Sequence, residues 1–153
     1  MNILLAGEDA APGSGRHLLA VLKAMKASVI HVPSRQRLSP RVLQRRYAAI
    51  LLSDFPSAHA PLAAQHAIAA QVKEGAGLLM IGGWGSFSGP FGHWKGSRIE
   101  QLLPVTCHDR DDRKNFSGGA LIVSRRSHPI WRGLSFANPP VISGLNIIRP
   151  KPA

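Results

Sequence analysis

The chain has 153 residues, 44% hydrophobic and 18% charged, the balance of one globular domain able to bury a core. Its longest apolar runs, such as Ala48 to Leu52, are far too short to cross a bilayer, and its single cysteine, Cys107, excludes an internal disulfide framework. The formal charge of +11, nineteen Lys and Arg against eight acids, makes an anionic partner worth weighing.

In chain order, residues 2–7 read as a short buried strand ending at Gly7 and the polar pair Glu8-Asp9. A Pro/Gly/Ser loop follows over residues 11–15. Leu18, Leu19, Val21, Leu22 and Met25 then recur at helical spacing, with Lys23 and Lys26 on the other face. Residues 28–32 are a second strand, broken by Pro33. Ser39-Pro40 is a helix start, a side-chain cap followed by proline at the first helical position, and that helix is expected to reach Tyr47. "AILLS" (49–53) is a third strand with Asp54-Phe55-Pro56 at its exit. An alanine-rich helix over 61–74 is stopped by Gly75 and Gly77. "GLLMI" (77–81) is a fourth strand. Because these strands lack alternation, each is expected to be buried on both faces, as in a parallel sheet between helices. Four such strands with three intervening helices give a doubly wound α/β fold with right-handed crossovers.

The rhythm breaks at Gly82. A glycine-rich loop fills 82–97, a short helix is expected over 97–103, and 105–118 read as polar loop. "GALIVS" (119–124) is a fifth apolar run, and Val141-Ile142 mark a last strand. No basic segment precedes the first strand and no long apolar segment follows it, which argues against a signal peptide. With the lone cysteine, this fits a reducing cytoplasm.

In open parallel sheets, ligands bind outside the carboxyl ends of the strands, near the point where strand order reverses. That rule selects Glu8 and Asp9 after the first strand, Ser53 and Asp54 after the third, and Gly83, Trp84, Gly85, Ser86 and Ser88 after the fourth. Glu8, Asp54 and Trp84 should converge on one rim. The loop lacks the third glycine of a dinucleotide fingerprint and the Gly-Lys-Ser/Thr of a phosphate loop. Neither Ser86 nor Ser88 satisfies Gly-x-Ser-x-Gly, although the strand-to-turn context of a nucleophile elbow is present.

Cys107-His108-Asp109 invites a catalytic-cysteine reading, but neighbours in sequence rarely face one another, so an incidental thiol is the plainer reading. His108, Asp109, Asp111 and Asp112 could suggest a metal; the interleaved Arg110 and Arg113 oppose that charge build-up, so no metal and no cofactor is expected, and these acids should pair with the arginines at the surface. Trp84, Trp94 and Trp131 are read first as core or loop anchors. The densest basic patch holds Arg35, Arg37, Arg41, Arg45 and Arg46 with no acid among them. Without an interleaved aromatic stripe it is read as a solvated basic face, with nucleic-acid binding the weaker alternative.

The stretch "GAGLLMIGGWGSFSGPFGHWKGSRIEQLLPV" (75–105) resembles the glutamine amidotransferase-like family, within the class I glutamine amidotransferase-like superfold and related to the ThuA-like proteins. "ILLAGED", "AAILLSDFPS", "DDR", "HPIWRGL" and "SGLN" resemble further stations of that family in the same order, so the likeness spans nearly the whole chain. The resemblance implies a single flavodoxin-like three-layer α/β sandwich with a mostly parallel sheet. It also implies a cysteine nucleophile at the elbow after the fourth strand, where this chain has Gly83-Trp84-Gly85, and a His and a Glu from near the C-terminus, for which nothing after His128 offers a His-x-Glu pair. The chain ends at Ala153, earlier than the resemblance leads one to expect. The expectation is a domain lacking C-terminal elements, a fragment or a chain whose gap is covered by self-association. The leading expectation for function is a non-glutaminase domain that holds a small polar ligand, a sugar or metabolite, at Glu8, Asp54, Gly83, Trp84, Gly85 and Ser86. The second is a hydrolase or isomerase with Glu8 or Asp54 as general base.

Overall fold

The computed structural model describes residues 1–9, 15–124 and 127–152. The sheet at its centre has four parallel strands, β1 (Asn2–Gly7), β2 (Ser28–Val32), β3 (Ala49–Ser53) and β4 (Gly77–Ile81), in the spatial order β2-β1-β3-β4. Register places Leu4 between Ile30 and Ile50, and Leu52 beside Met80. That order is the start of the flavodoxin-like winding, whose switch point lies between β1 and β3. The chain is a flavodoxin-like α/β sandwich: one face of the sheet packs on α1 and the other on α2, α3 and α4.

The two faces are unequal. Leu4, Ala6, Ile50, Leu52 and Met80 form one large core with Leu43 of α2 (Pro40–Leu43), Ala64 and Ile68 of α3 (Leu62–Lys73), and Ile99 of α4 (Arg98–Leu102). Ile3, Leu5 and Leu51 form a smaller core with Leu22 of α1 (Gly15–Ala24), flanked by Leu18 and Leu19. Val21 and Met25, read from spacing as part of that apolar stripe, are instead exposed. β4 is also not buried on both faces as expected. It is one edge of the four-stranded sheet, β2, itself only partly buried, being the other, and Leu79 is 51% exposed because α1 does not reach across to it.

The helix expected to reach Tyr47 stops at Leu43, capped by Ser39 and started by Pro40 as the sequence suggests. Its end is set from α3. The buried Gln71 donates through Nε2 to the carbonyls of Leu43 (3.1 Å) and Arg45 (2.9 Å), and its Oε1 accepts the Tyr47 N–H (3.1 Å). Those groups can no longer continue an α-helical ladder, so the chain turns there into β3. Gln65 ties α3 to its surroundings in the same way, donating to Ala60 O and accepting from Arg98 N.

Beyond α4, β5 (Val105–Thr106) pairs with β8 (Arg149–Pro150), and β6 (Arg113–Leu121) pairs with β7 (Val141–Asn146), both antiparallel. Residues expected as polar loop therefore hold β5 and most of β6. The "GALIVS" run is the end of a separate hairpin strand: its partner is β7, and Leu121 and Val123 stay exposed. Among the described residues no helix is long and apolar enough to cross a membrane.

Candidate functional site

The site begins where β1 and β3 end. Glu8 and Asp54 follow these strands directly, and both have positive φ, 55° and 50°. Few residues other than glycine adopt that conformation, and it costs free energy unless the surroundings impose it. Here they do. Glu8 N–H donates to Ser53 O (3.0 Å), and the Ser53 hydroxyl donates to Glu8 Oε1 (2.7 Å). His31 Nε2 lies 2.8 Å from Gly7 O and 3.0 Å from Glu8 O. Carbonyls only accept, so that nitrogen carries the proton and pins the exit of β1.

Asp54 is stitched to the glycine-rich loop. Its N–H donates to Ser86 Oγ (3.1 Å), Ser86 Oγ donates to Ile81 O, and the Gly85 N–H donates to Asp54 Oδ1. Two glycines make this approach feasible. A Cβ at position 83 would stand 2.6 Å from Asp54 Oδ1, and one at 85 would stand 3.0 Å from the Asp54 carbonyl. The loop is held from its far side by β7 and the segment before β6. Gly83 N–H donates to Asn146 Oδ1 (2.9 Å), Asn146 Nδ2 donates to Asp112 Oδ1 (2.7 Å), and Asp112 Oδ2 accepts the Ser88 N–H (2.9 Å).

Trp84 stands out from this braced loop, 56% exposed. Phe91 stacks on it, ring centroids 6.2 Å apart and planes 22° from parallel, and the Arg113 guanidinium lies 4.1 Å from its ring centre. Arg113 is itself fixed by a two-pronged ion pair, Nε to Asp111 Oδ1 (3.0 Å) and Nη2 to Oδ2 (2.7 Å). Those hydrogen bonds hold the Asp111 carboxyl below the usual range. Asp111, Arg113, Trp84 and Phe91 thus form one preorganised stack.

On one side of that stack lies a cleft of about 470 Å³, lined by Asp54, Trp84, Gly85 and Phe91 together with Asp9, Ser34, Arg35, Pro56 and His59. Its size suits a small-molecule ligand. On the other side a second cleft of about 480 Å³ separates the loop from β6 and β7, with Asn115, Ser143 and Asn146 on its wall. In the first cleft, His59 Nδ1 lies 2.6 Å from Ser34 O, so Nδ1 carries the proton and a neutral ring keeps Nε2 as an acceptor. Arg35 reaches Asp9 through one contact, Nε to Oδ2 at 3.5 Å, with the side chains 88% and 49% exposed. Carboxylate, imidazole, guanidinium and aromatic wall therefore meet in one place.

Of the residues selected from sequence, Asp9, Asp54, Trp84 and Gly85 line this cleft, and Gly83 lies beneath it against the Asp54 carboxylate. Glu8 is not among the lining residues; its carboxylate faces Ser53. Ser86 is 1% exposed, and its hydroxyl is engaged both as donor and as acceptor. The loop amides of Gly83 and Gly85 serve Asn146 and Asp54 and are not offered to a ligand. His59 and Phe91 are not selected by the sequence, and Arg35 is read there only as part of the basic patch. His59 shares the β3-to-α3 connection with Asp54, and Phe91 shares the glycine-rich loop with Trp84, its N–H donating to the Trp84 carbonyl (2.9 Å); Arg35 reaches the cleft only through the winding of the chain.

The other candidates separate. Cys107 is 6% exposed in the large core, and its thiol is pushed up from 9.0 to about 12 by burial and by the nearby Glu100 carboxylate. Asp109 pairs with Lys95 (3.7 Å) at the surface, but Asp112, expected there too, is buried at 3% because the Ser88 amide and Asn146 satisfy it. Trp94 is the core tryptophan, fully buried and donating to Phe55 O (2.9 Å), whereas Trp84 and Trp131 are not core residues. Arg35, Arg37, Arg41, Arg45 and Arg46 all lie exposed around α2, and Arg46 pairs with Glu74. No curated protein matches the sequence. A family model does, over residues 14–153, and with the four-stranded parallel sheet and its helices it shows that the chain belongs to the family described as "Putative glutamine amidotransferase".

Proposed function

We propose that this domain is a non-glutaminase member of its family that binds a small polar ligand, a sugar or similar metabolite, in the Asp54–Trp84 cleft. The observation that carries the reading is the pairing of an aromatic wall with hydrogen-bonding groups whose geometry is already set. Trp84 and Phe91 offer apolar surface to the C–H face of a sugar ring. Asp54 and His59 Nε2 offer acceptors to hydroxyl groups, and Arg35 offers donors. The chain's one thiol is buried and held protonated, and a tryptophan flanked by glycines follows β4 where a glutaminase of this superfold would need its cysteine.

The test is a thermal-shift and calorimetric screen of sugars and polar metabolites on wild type, Trp84→Ala and Asp54→Asn. Asn keeps an acceptor for the Gly85 amide, so that variant should fold. A ligand whose affinity falls about tenfold or more in both variants supports the reading, since a buried aromatic contact and a charged hydrogen bond are each worth that much. Ammonia release from glutamine is expected to be absent; turnover by the purified chain would overturn the non-glutaminase assignment.

A second reading, a hydrolase or isomerase with Asp54 as general base, is favoured by one observation, the presence of His59 Nε2 as a second proton acceptor in the same cleft. It is separated from the first by substrate loss over time with a bound compound, abolished in Asp54→Asn.

A further inference from the structure

We propose that the ligand of the rim cleft is phosphorylated, with Arg35 as its phosphate-binding residue; this rests on the reading of the cleft as a sugar or polyol site and names its ligand class. Arg35 lines the cleft, yet its ion pair with Asp9 is a single 3.5 Å contact through Nε between two exposed side chains. An exposed pair of that geometry stabilises little and is readily exchanged for a better anion. The two Nη groups make no hydrogen bond with any described residue, so the planar fork is available to grip two oxygens of one phosphate, the geometry a guanidinium favours.

The surroundings agree in sign. From residue 10 to residue 53 the sequence contains no Asp or Glu, while Arg37, Arg41 and Arg45 stand exposed on the same β2-to-β3 connection as Arg35. A dianion approaching this side of the molecule meets a positive field. The cleft's two carboxylates are Asp54, one oxygen of which already accepts the Gly85 N–H, and Asp9, which Arg35 holds by its one loose contact. Asp54 and His59 accept hydrogen bonds from hydroxyl groups, and Arg35, on exchanging Asp9 for the ligand, donates to an anion.

The experiment is calorimetry on the full chain at low and moderate salt with matched probes: glucose, mannose, fructose and ribose, each against its terminal monophosphate, and gluconate as a carboxylate control. For at least one pair the monophosphate is expected to bind about tenfold tighter at low salt, the gain of a charge-assisted bidentate contact. Arg35→Gln should remove that gain, so that on this variant the free sugar and its monophosphate bind alike, whereas Trp84→Ala should weaken both members of the pair and leave the gain in place. Equal affinities within every pair, a gain that survives Arg35→Gln, or an equal gain from gluconate overturns the phosphate assignment and leaves the cleft reading standing. Failure of every probe, free and phosphorylated, overturns the cleft reading itself.

Discussion

At the scale of single residues, the glycine-rich loop is explained by Asp54. Gly83 and Gly85 are the points where the loop backbone lies against that residue, and a methyl group at 83 would meet its carboxylate oxygen at 2.6 Å. Gly83→Ala should therefore destabilise the fold by about 1–3 kcal/mol, an overpacking cost readable as a shift in the urea midpoint. Cys107 makes a second prediction. Ellman's reagent should leave the folded protein unlabelled at pH 8 and label it on unfolding, because burial and Glu100 keep the thiol protonated. The linkage has a definite sign: the folded thiol holds its proton to about pH 12 and the unfolded one releases it near 9, so stability is intact below 9 and falls as pH rises through that window. The fall should approach about 1.4 kcal/mol per pH unit, and Cys107→Ala should lose this component of the alkaline slope. The buried Tyr47 hydroxyl, also raised by burial, adds to the slope in both proteins.

Among the elements, side chains decide where helices and loops stop. Gln71 sits on α3 but ends α2, because its amide satisfies the Leu43 and Arg45 carbonyls and the Tyr47 N–H at once. Gln71→Ala would strand those groups in a buried place, at a cost of about 1–3 kcal/mol for each left unpaired. Asn146 plays the same part between β7 and the loop after β4, joining Gly83 to the buried Asp112. Asn146→Ala should cost about 1–3 kcal/mol and raise amide exchange at Gly83 before it raises exchange in β1 or β3. It should also weaken ligand binding, since Trp84 is carried on the segment Asn146 holds.

For the whole molecule, the sheet is covered unevenly. Helices α2, α3 and α4 cover one face, while α1 alone covers the other over β1 and β3 and leaves Leu79 of β4 exposed. Leu51 and Leu79 are register neighbours, yet Leu51→Ala should cost about 2–5 kcal/mol and Leu79→Ala less than about 1, measured by chemical denaturation. The same winding that creates this asymmetry brings the ends of β1 and β3 together at the switch point, where the candidate cleft opens.

Sequence alone determined the strand–helix alternation, the cap at Ser39 and the parallel sheet, and it marked the candidate rim, because hydrophobic runs and turn residues act within a few positions of one another. Asp54 and Trp84 were legible as rim residues by the same local logic. The tertiary structure alone decided the rest. Whether "GLLMI" was central or an edge depended on the number of strands beyond it. The early end of α2 depended on a glutamine in another helix. Ser86 became an internal strut and Asp112 a buried acceptor through partners brought in from separate parts of the chain. Arg35 and His59 joined Trp84 in one cleft for the same reason: those distances are set by how the crossovers pack against the sheet, and no local pattern in the sequence encodes them.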